Sequence, residues 1–358
     1  MTTSRRTFIG GLAGAAGLAA LATPALVRAQ GKVEVIRLAG PGNASGRPYG
    51  SGTIGVLRGL ELLEKEFEAD GVRIEWQFPR GTGPAINEAL ANRQLEFASY
   101  GGLPNIVGRG AGVPTTLLAS SGISPTYLGA RPDAGIASIA DLEGKKIAFQ
   151  RGTIFELSLS RILEQAGLDN DDVKIFDLQG ADQVAAIQSG DVDVVVGQGN
   201  SVLALVDKGL VEVVYSTKGS PAPGSTFGSF AVLDSFAAEH PEITERVLRA
   251  FVEAAYFASQ EENREALFDI WEQTGSPRAS YVQDYDGDVL AERNTPLLDD
   301  FYRANIRAGL DFTLEQKLVR KPFDPDDWID DALLTTIIAD LGYGDVWTPR
   351  DAAGKPVA

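Results

Sequence analysis

Short apolar runs recur along the chain, each bounded by Gly, Pro, Ser or Asp, and between them apolar residues return every third or fourth position. In the first half, KVEVIRLAG (32–40), VRIEWQF (72–78), LEFASYGG (95–102) and PTTLLAS (114–120) predict strands. Helices are expected at about 53–69 and 84–93, with a brief one after Pro104. A second series of strands follows at TYLGA (126–130), KKIAFQ (145–150), VKIFDL (173–178), VDVVVGQ (192–198) and VEVVYS (211–216). Helices at about 153–166 and 181–189 lie among them. After about Gly219 the balance shifts to helix. PEITERVLRAFVEAAYFASQ (241–260) carries Ile243, Val247 and Phe251 at four-residue steps, with Pro241 suited to a first helical position. Strands alternating with amphipathic helices predict a parallel sheet in each half.

Composition narrows the class. A chain of 358 residues is too long for one core and suits two lobes, and 44% hydrophobic content is that of a globular protein. The net charge of −17 argues against a nucleic-acid partner and offers no long-range attraction to anions, so any anion site must be local. The absence of cysteine excludes disulfides, thiolate metal sites and a cysteine nucleophile. The single histidine, His240 in EHPEITERV, reads as the start of a helix. TTSRRTFIGG and the Gly/Ala-rich apolar stretch to Val27 have the form of a twin-arginine export signal over residues 1–29. No second apolar run of that length follows, so a soluble mature protein is expected; the signal places it in the periplasm, where a monomer is expected. The acidic DPDDWIDD (324–331) reads as a solvated face without a metal, and Trp76 and Trp271 as core residues.

Ligands in open parallel sheets bind beyond the carboxyl ends of strands, beside helix N-termini. The loops at those ends hold Ser51 and Thr53; Arg80 and Thr82; Tyr100 and Gly101; Arg151, Gly152 and Thr153; and Gln198 and Asn200. Phe227 flanks a glycine-rich loop. Each loop joins glycine to hydroxyl or amide side chains, a set suited to a small oxyanion held by hydrogen bonds. In QRGTIFELSLSRIL (150–163), Thr153 and Glu156 fit a capping box, and Arg151 would clamp the anion if it points inward. Other chemistries lack their residues. There is no G-x-x-x-x-G-K-[ST] and no H-E-x-x-H, and a Ser–His–Asp triad would need His240, away from every strand-end loop.

Four segments carry a resemblance. VRIEWQFPRGTGPAINEALANRQLEFASYGGLPN, SIADLEGKKIAFQRGTIFELSLSRILEQAGL, GADQVAAIQSGDVDVVVGQGN and EHPEITERVLRAFVEAAYFA together resemble ABC-transporter solute-binding proteins of the aliphatic sulfonate, taurine and nitrate type. The resemblance covers roughly 33–275. It implies an α/β, two-lobed periplasmic-binding-protein type II fold, each lobe a mainly parallel sheet flanked by helices. Lobe one is expected at 32–121 plus 220–358 and lobe two at 122–219, with a hinge near 120–124 and 216–220. It further implies a small anionic ligand, permease subunits as partners, no cofactor and no bond-making. Three departures stand out: Arg93-Gln94 replaces a usual glycine, the 41–52 loop is long, and Gln198-Gly199-Asn200 replaces an aromatic and acidic segment. Pyrimidine-precursor binders and a thiamine-biosynthesis enzyme share the fold; the enzyme's histidine and clustered cysteines are absent here.

Overall fold

The computed structural model describes residues 32–41, 49–219 and 224–357; the expected export signal lies outside them. The first four strands are β1 (Val35–Ala39), β2 (Arg73–Gln77), β3 (Phe97–Gly101) and β4 (Thr115–Ser124). The next five form a separate sheet: β5 (Tyr127–Ala130), β6 (Lys146–Phe149), β7 (Lys174–Asp177), β8 (Val194–Gly197) and β9 (Glu212–Ser216). The chain then returns to the first sheet as β10 (Thr226–Leu233). The orders are β2-β1-β3-β10-β4 in lobe one and β7-β6-β8-β5-β9 in lobe two.

Four of the five strands in each sheet run the same way; β10 in lobe one and β5 in lobe two are reversed. These are the strands that arrive from the other lobe. The chain leaves β4 at its carboxyl end, so it enters the second sheet from the edge where the parallel strands finish and must run backwards. The return from β9 imposes the same reversal on β10. Strand β10, TFGSFAVL, lies in a region expected to turn helical. It is buried between β3 and β4, with Phe230 stacked on Phe97 at 5.8 Å and on Phe251 at 4.2 Å.

The helices between strands are α1 (Gly52–Gly59), α2 (Leu62–Phe67), α3 (Thr82–Ala91) and α4 (Gly102–Gly110) in lobe one. In lobe two they are α5 (Ile154–Gln165), α6 (Gly180–Ser189) and α7 (Gly199–Val206). The single helix expected at 53–69 is divided because Glu61 adopts a left-handed φ of 54°. The later helices are α8 (Asp234–Glu239), α9 (Pro241–Ser259), α10 (Arg264–Glu272), α11 (Arg278–Asp284), α12 (Leu290–Arg293), α13 (Asp300–Glu315) and α14 (Ala332–Asp340). In α9, Val247 and Phe251 are fully buried and Ile243 packs beside them.

Period-two alternation gives the second sheet two buried faces. Ile147 and Phe149 of β6 pack with Leu159 and Ile162 of α5, whereas Ala148 packs with Ile187 of α6 and Val202 of α7. Among the described residues no helix is long and apolar enough to cross a membrane. In the acidic segment, Asp326 and Asp331 pair with Arg303, and Asp326 also pairs with Arg307.

Candidate functional site

A cavity of about 720 Å³ lies where the carboxyl ends of the two sets of parallel strands face each other. Six helices begin at its wall: α1, α3 and α4 from lobe one, and α5, α6 and α7 from lobe two. None of the six has a side-chain cap on its first turn. The first N–H groups of a helix have no partner within it, so this wall is rich in backbone donors and in the positive ends of helix dipoles. Thr53 adds a hydroxyl. The residue is buried, its Oγ1 has no hydrogen-bond partner, and it lines the cavity.

The structure brings Ser51, Thr53, Thr82, Tyr100, Gly101, Thr153, Gln198, Asn200 and Phe227 to this one cavity. Several are already engaged. The Tyr100 hydroxyl donates to Asn87 at 2.8 Å, and full burial holds its pKa well above the ordinary phenol value. Asn200 donates across the lobes to Ser276 at 3.2 Å and Tyr281 at 3.1 Å. Thr82 is not the cap of α3. Gly81 holds that position, and Thr82 follows at a φ of 45°, a left-handed conformation that costs a non-glycine residue about 1–3 kcal/mol.

Arg80, Arg151 and Gly152 do not line the cavity. Arg80 is exposed. The expected capping box is replaced by a different arrangement. Gly152, at a φ of 70°, turns its N–H to Glu156 Oε2 at 2.7 Å, and the Thr153 hydroxyl donates to the Gln150 carbonyl at 2.6 Å. The same Glu156 carboxylate draws the Arg151 guanidinium to 3.5 Å, while the Arg151 N–H donates to Asp177 at 2.9 Å. Arg151 therefore faces a shallower opening beside the cleft, shared with Glu88, Asp177 and Asp182.

Residues beyond 264 add to the wall. Trp271, a core residue as expected, also borders the cavity and donates Nε1 to the Gly52 carbonyl at 3.1 Å. Arg293 is buried, 3.9 Å over the Tyr285 ring, and pairs with Asp288 and with Asp284 at 3.0 Å. Burial opposes its charge, but Tyr285 and Asp284 outweigh that and raise its pKa. Asp284 also accepts from the Tyr127 hydroxyl of lobe two at 2.9 Å; burial, and after it the Asp284 charge, holds the pKa of that phenol well above its usual range. The signal for this cluster is YVQDYDGDVLAER (281–293), where aromatic and acidic residues alternate at helical spacing before a lone arginine.

Two helix-flanked sheets joined by two crossings, with helix N-termini meeting in the cleft, define a two-lobed periplasmic-binding-protein fold. The chain belongs to the NMT1/THI5-like family, whose model matches residues 67–264. A Bacillus subtilis (strain 168) relative named as an aliphatic sulfonates-binding protein is 27% identical over 294 residues, 79% of this chain and 83% of that one. An Escherichia coli (strain K12) relative of the same name is 34% identical over 186 residues, 50% of this chain and about half (53%) of its own length. Among solved structures, the periplasmic sulfonate-binding protein SsuA of a sulfonate ABC transporter from Methylobacillus flagellatus KT superposes with a TM-score of 0.77. It is 28% identical, over 89% of this chain and 98% of that one.

Proposed function

We propose that this chain is a periplasmic solute-binding protein of an ABC importer that captures an organosulfonate-type anion between its lobes. The observation that carries this reading is the meeting of six uncapped helix N-termini at one cavity, with the unpartnered Thr53 hydroxyl among them. Such termini attract anions through free N–H groups and dipoles, and bonds to a charged acceptor are roughly twice as strong as neutral ones. The relatives named for sulfonate binding support the ligand class, and the sulfonate transporter to which one belongs supports permease partners and the periplasm.

In this reading Ser51, Thr53 and Gly101 of lobe one and Thr153 of lobe two meet the sulfonate oxygens, and Phe227 borders the organic part. Lobe one comprises 32–121 plus 220–358 and lobe two 122–219, hinged near 120–124 and 216–220. A twin-arginine signal over 1–29 exports a protein that acts as a monomer and makes or breaks no bond. A neutral planar heterocycle is the second reading. It is favoured by the pairing of Arg293 with two carboxylates, which neutralises that guanidinium.

Thermal denaturation against taurine, short alkanesulfonates, an arylsulfonate, sulfate, nitrate and a pyrimidine tests both. A ligand at a hundredfold its Kd stabilises the folded state by about 2.7 kcal/mol. Stabilisation by sulfonates alone is the expected result. A shift with the pyrimidine alone would keep the binding protein and replace its ligand class.

A further inference from the structure

The cavity does not end in the cleft. It continues into lobe two along a groove between α6 and α7. Helix α6 lines it with Ala181, Val184, Ala185 and Gln188; α7 lines it with Ser201, Ala204 and Leu205, and Lys208 follows just past its last turn. Both sets follow the spacing of a single helix face. At 1.5 Å per residue the α6 wall is about 10 Å long. One end of the groove opens on the N-termini of α6 and α7. The other ends in polar groups, Gln188 and Lys208. Lys208 is exposed, and no hydrogen bond or ion pair engages it among the described residues.

Size points the same way. The whole cavity, about 720 Å³, is in the range that holds drug-sized ligands. Nitrate or a two-carbon sulfonate displaces only a few waters, at about 30 Å³ each. The groove walls are mostly apolar and run the length of two helix faces, which suits an elongated methylene chain.

Building on the sulfonate reading above, we propose that the ligand is an elongated organosulfonate with two anionic ends. Its sulfonate sits at the helix N-termini of the cleft, its methylene chain lies between α6 and α7, and its far end carries an anionic group beside Lys208 and Gln188. The groove is open on one side, with Ala181, Ala185 and Gln188 exposed, so the chain is half buried.

The test titrates ethanesulfonate, octanesulfonate and octanesulfonate bearing a terminal carboxylate into the protein and three variants. Ala185→Leu and Ala204→Leu fill the groove from its two walls, and Lys208→Gln removes the charge. All three positions are at least partly solvent-exposed, and ligand-free melting checks that each variant folds. Half burial of each methylene is worth about twofold in affinity, so octanesulfonate is expected to bind roughly sixtyfold tighter than ethanesulfonate. Either leucine abolishes most of that gain and leaves ethanesulfonate unchanged. The terminal carboxylate adds about threefold more, lost in Lys208→Gln while octanesulfonate is unaffected. Equal affinity for the short and long sulfonates would overturn the groove and leave the sulfonate reading standing. Failure of all three to bind would overturn both.

Discussion

Gln150 of lobe two accepts a hydrogen bond from the Thr82 hydroxyl of lobe one at 3.1 Å, and its own amide donates to the Gly81 carbonyl at 3.2 Å. Both bonds cross the mouth of the cleft, so they exist only when the lobes are close. Two neutral hydrogen bonds of about 1 kcal/mol each bias the lobes towards closure. Gln150→Ala is expected to weaken ligand affinity about tenfold through the smaller closed fraction, with little change in ligand-free melting. Calorimetric titration beside a melting curve measures both; unchanged affinity would show that the pair does not govern closure.

Thr53 separates stability from binding. Its hydroxyl is buried and unpartnered, so Thr53→Val is expected to leave the ligand-free protein equally stable or more stable by about 1 kcal/mol. Sulfonate affinity should fall at least tenfold, since a hydrogen bond to a charged group is worth about 1.5–3 kcal/mol. Urea unfolding and titration of the same preparation decide the matter. A parallel loss of stability and affinity would mean a packing role instead.

Arg151 and Glu156 are expected to behave oppositely to a ligand clamp. Arg151→Ala should leave affinity within about twofold, because its side chain is over half exposed and the ion pair is weak. Glu156→Ala should destabilise the protein by about 1–3 kcal/mol, since it strips the Gly152 N–H of its acceptor. A tenfold affinity loss in Arg151→Ala would return that arginine to the binding wall.

Arg293→Ala leaves the buried Asp284 and the half-buried Asp288 without their counter-charge. Breaking a buried pair on one side costs about 3–5 kcal/mol, so a fall of several degrees in Tm is expected. Arg293→Ala combined with Asp284→Asn and Asp288→Asn should recover part of that fall. No recovery would point to the lost Arg293–Ile123 contact at the end of β4 instead.

Glu96 gives the pH dependence. Burial holds its carboxyl above the ordinary value, outweighing the Arg37 N–H that it accepts at 2.7 Å. A raised carboxyl pKa means that the folded state takes up the proton before the unfolded chain does. Stability from this group therefore rises as pH falls through the folded pKa towards the unfolded value of 4.5, and is lost on the way back up. Urea midpoints at pH 7 and pH 5 should show this rise in the native protein and a smaller one in Glu96→Gln. Equal pH responses would assign the effect to other carboxyls, among them Glu253, whose pKa burial also raises.

Much of this architecture could be read from the chain because its signals are local. VDVVVGQ is a strand by its own composition, and glycine with a hydroxyl or amide at strand ends marks where parallel strands hand over to helices. Thr53, Thr153 and Gln198 follow from that rule. The direction of Arg151 does not, because Asp177, which holds its N–H, lies 26 residues away and is delivered by another strand. Strand β10 hides for a related reason. Its glycine and serine break the apolar run, and the two strands that flank it are more than a hundred residues upstream. Trp271 and Arg293 reach the cavity through the packing of α10 and α12, which no spacing rule foretells.

The reversed strand β10 also imposes an order of assembly. Strands β3 and β4 are made early, yet no backbone ladder joins them until β10 arrives between them. The first sheet must therefore wait while the whole second sheet emerges from the ribosome, and its central ladder closes a loop of about a hundred residues. Such distant pairing is slow, because chain entropy is lost before contacts reward it. The second sheet draws on one continuous stretch of chain and needs no such wait, so the lobe whose synthesis starts second is the one that can finish folding first.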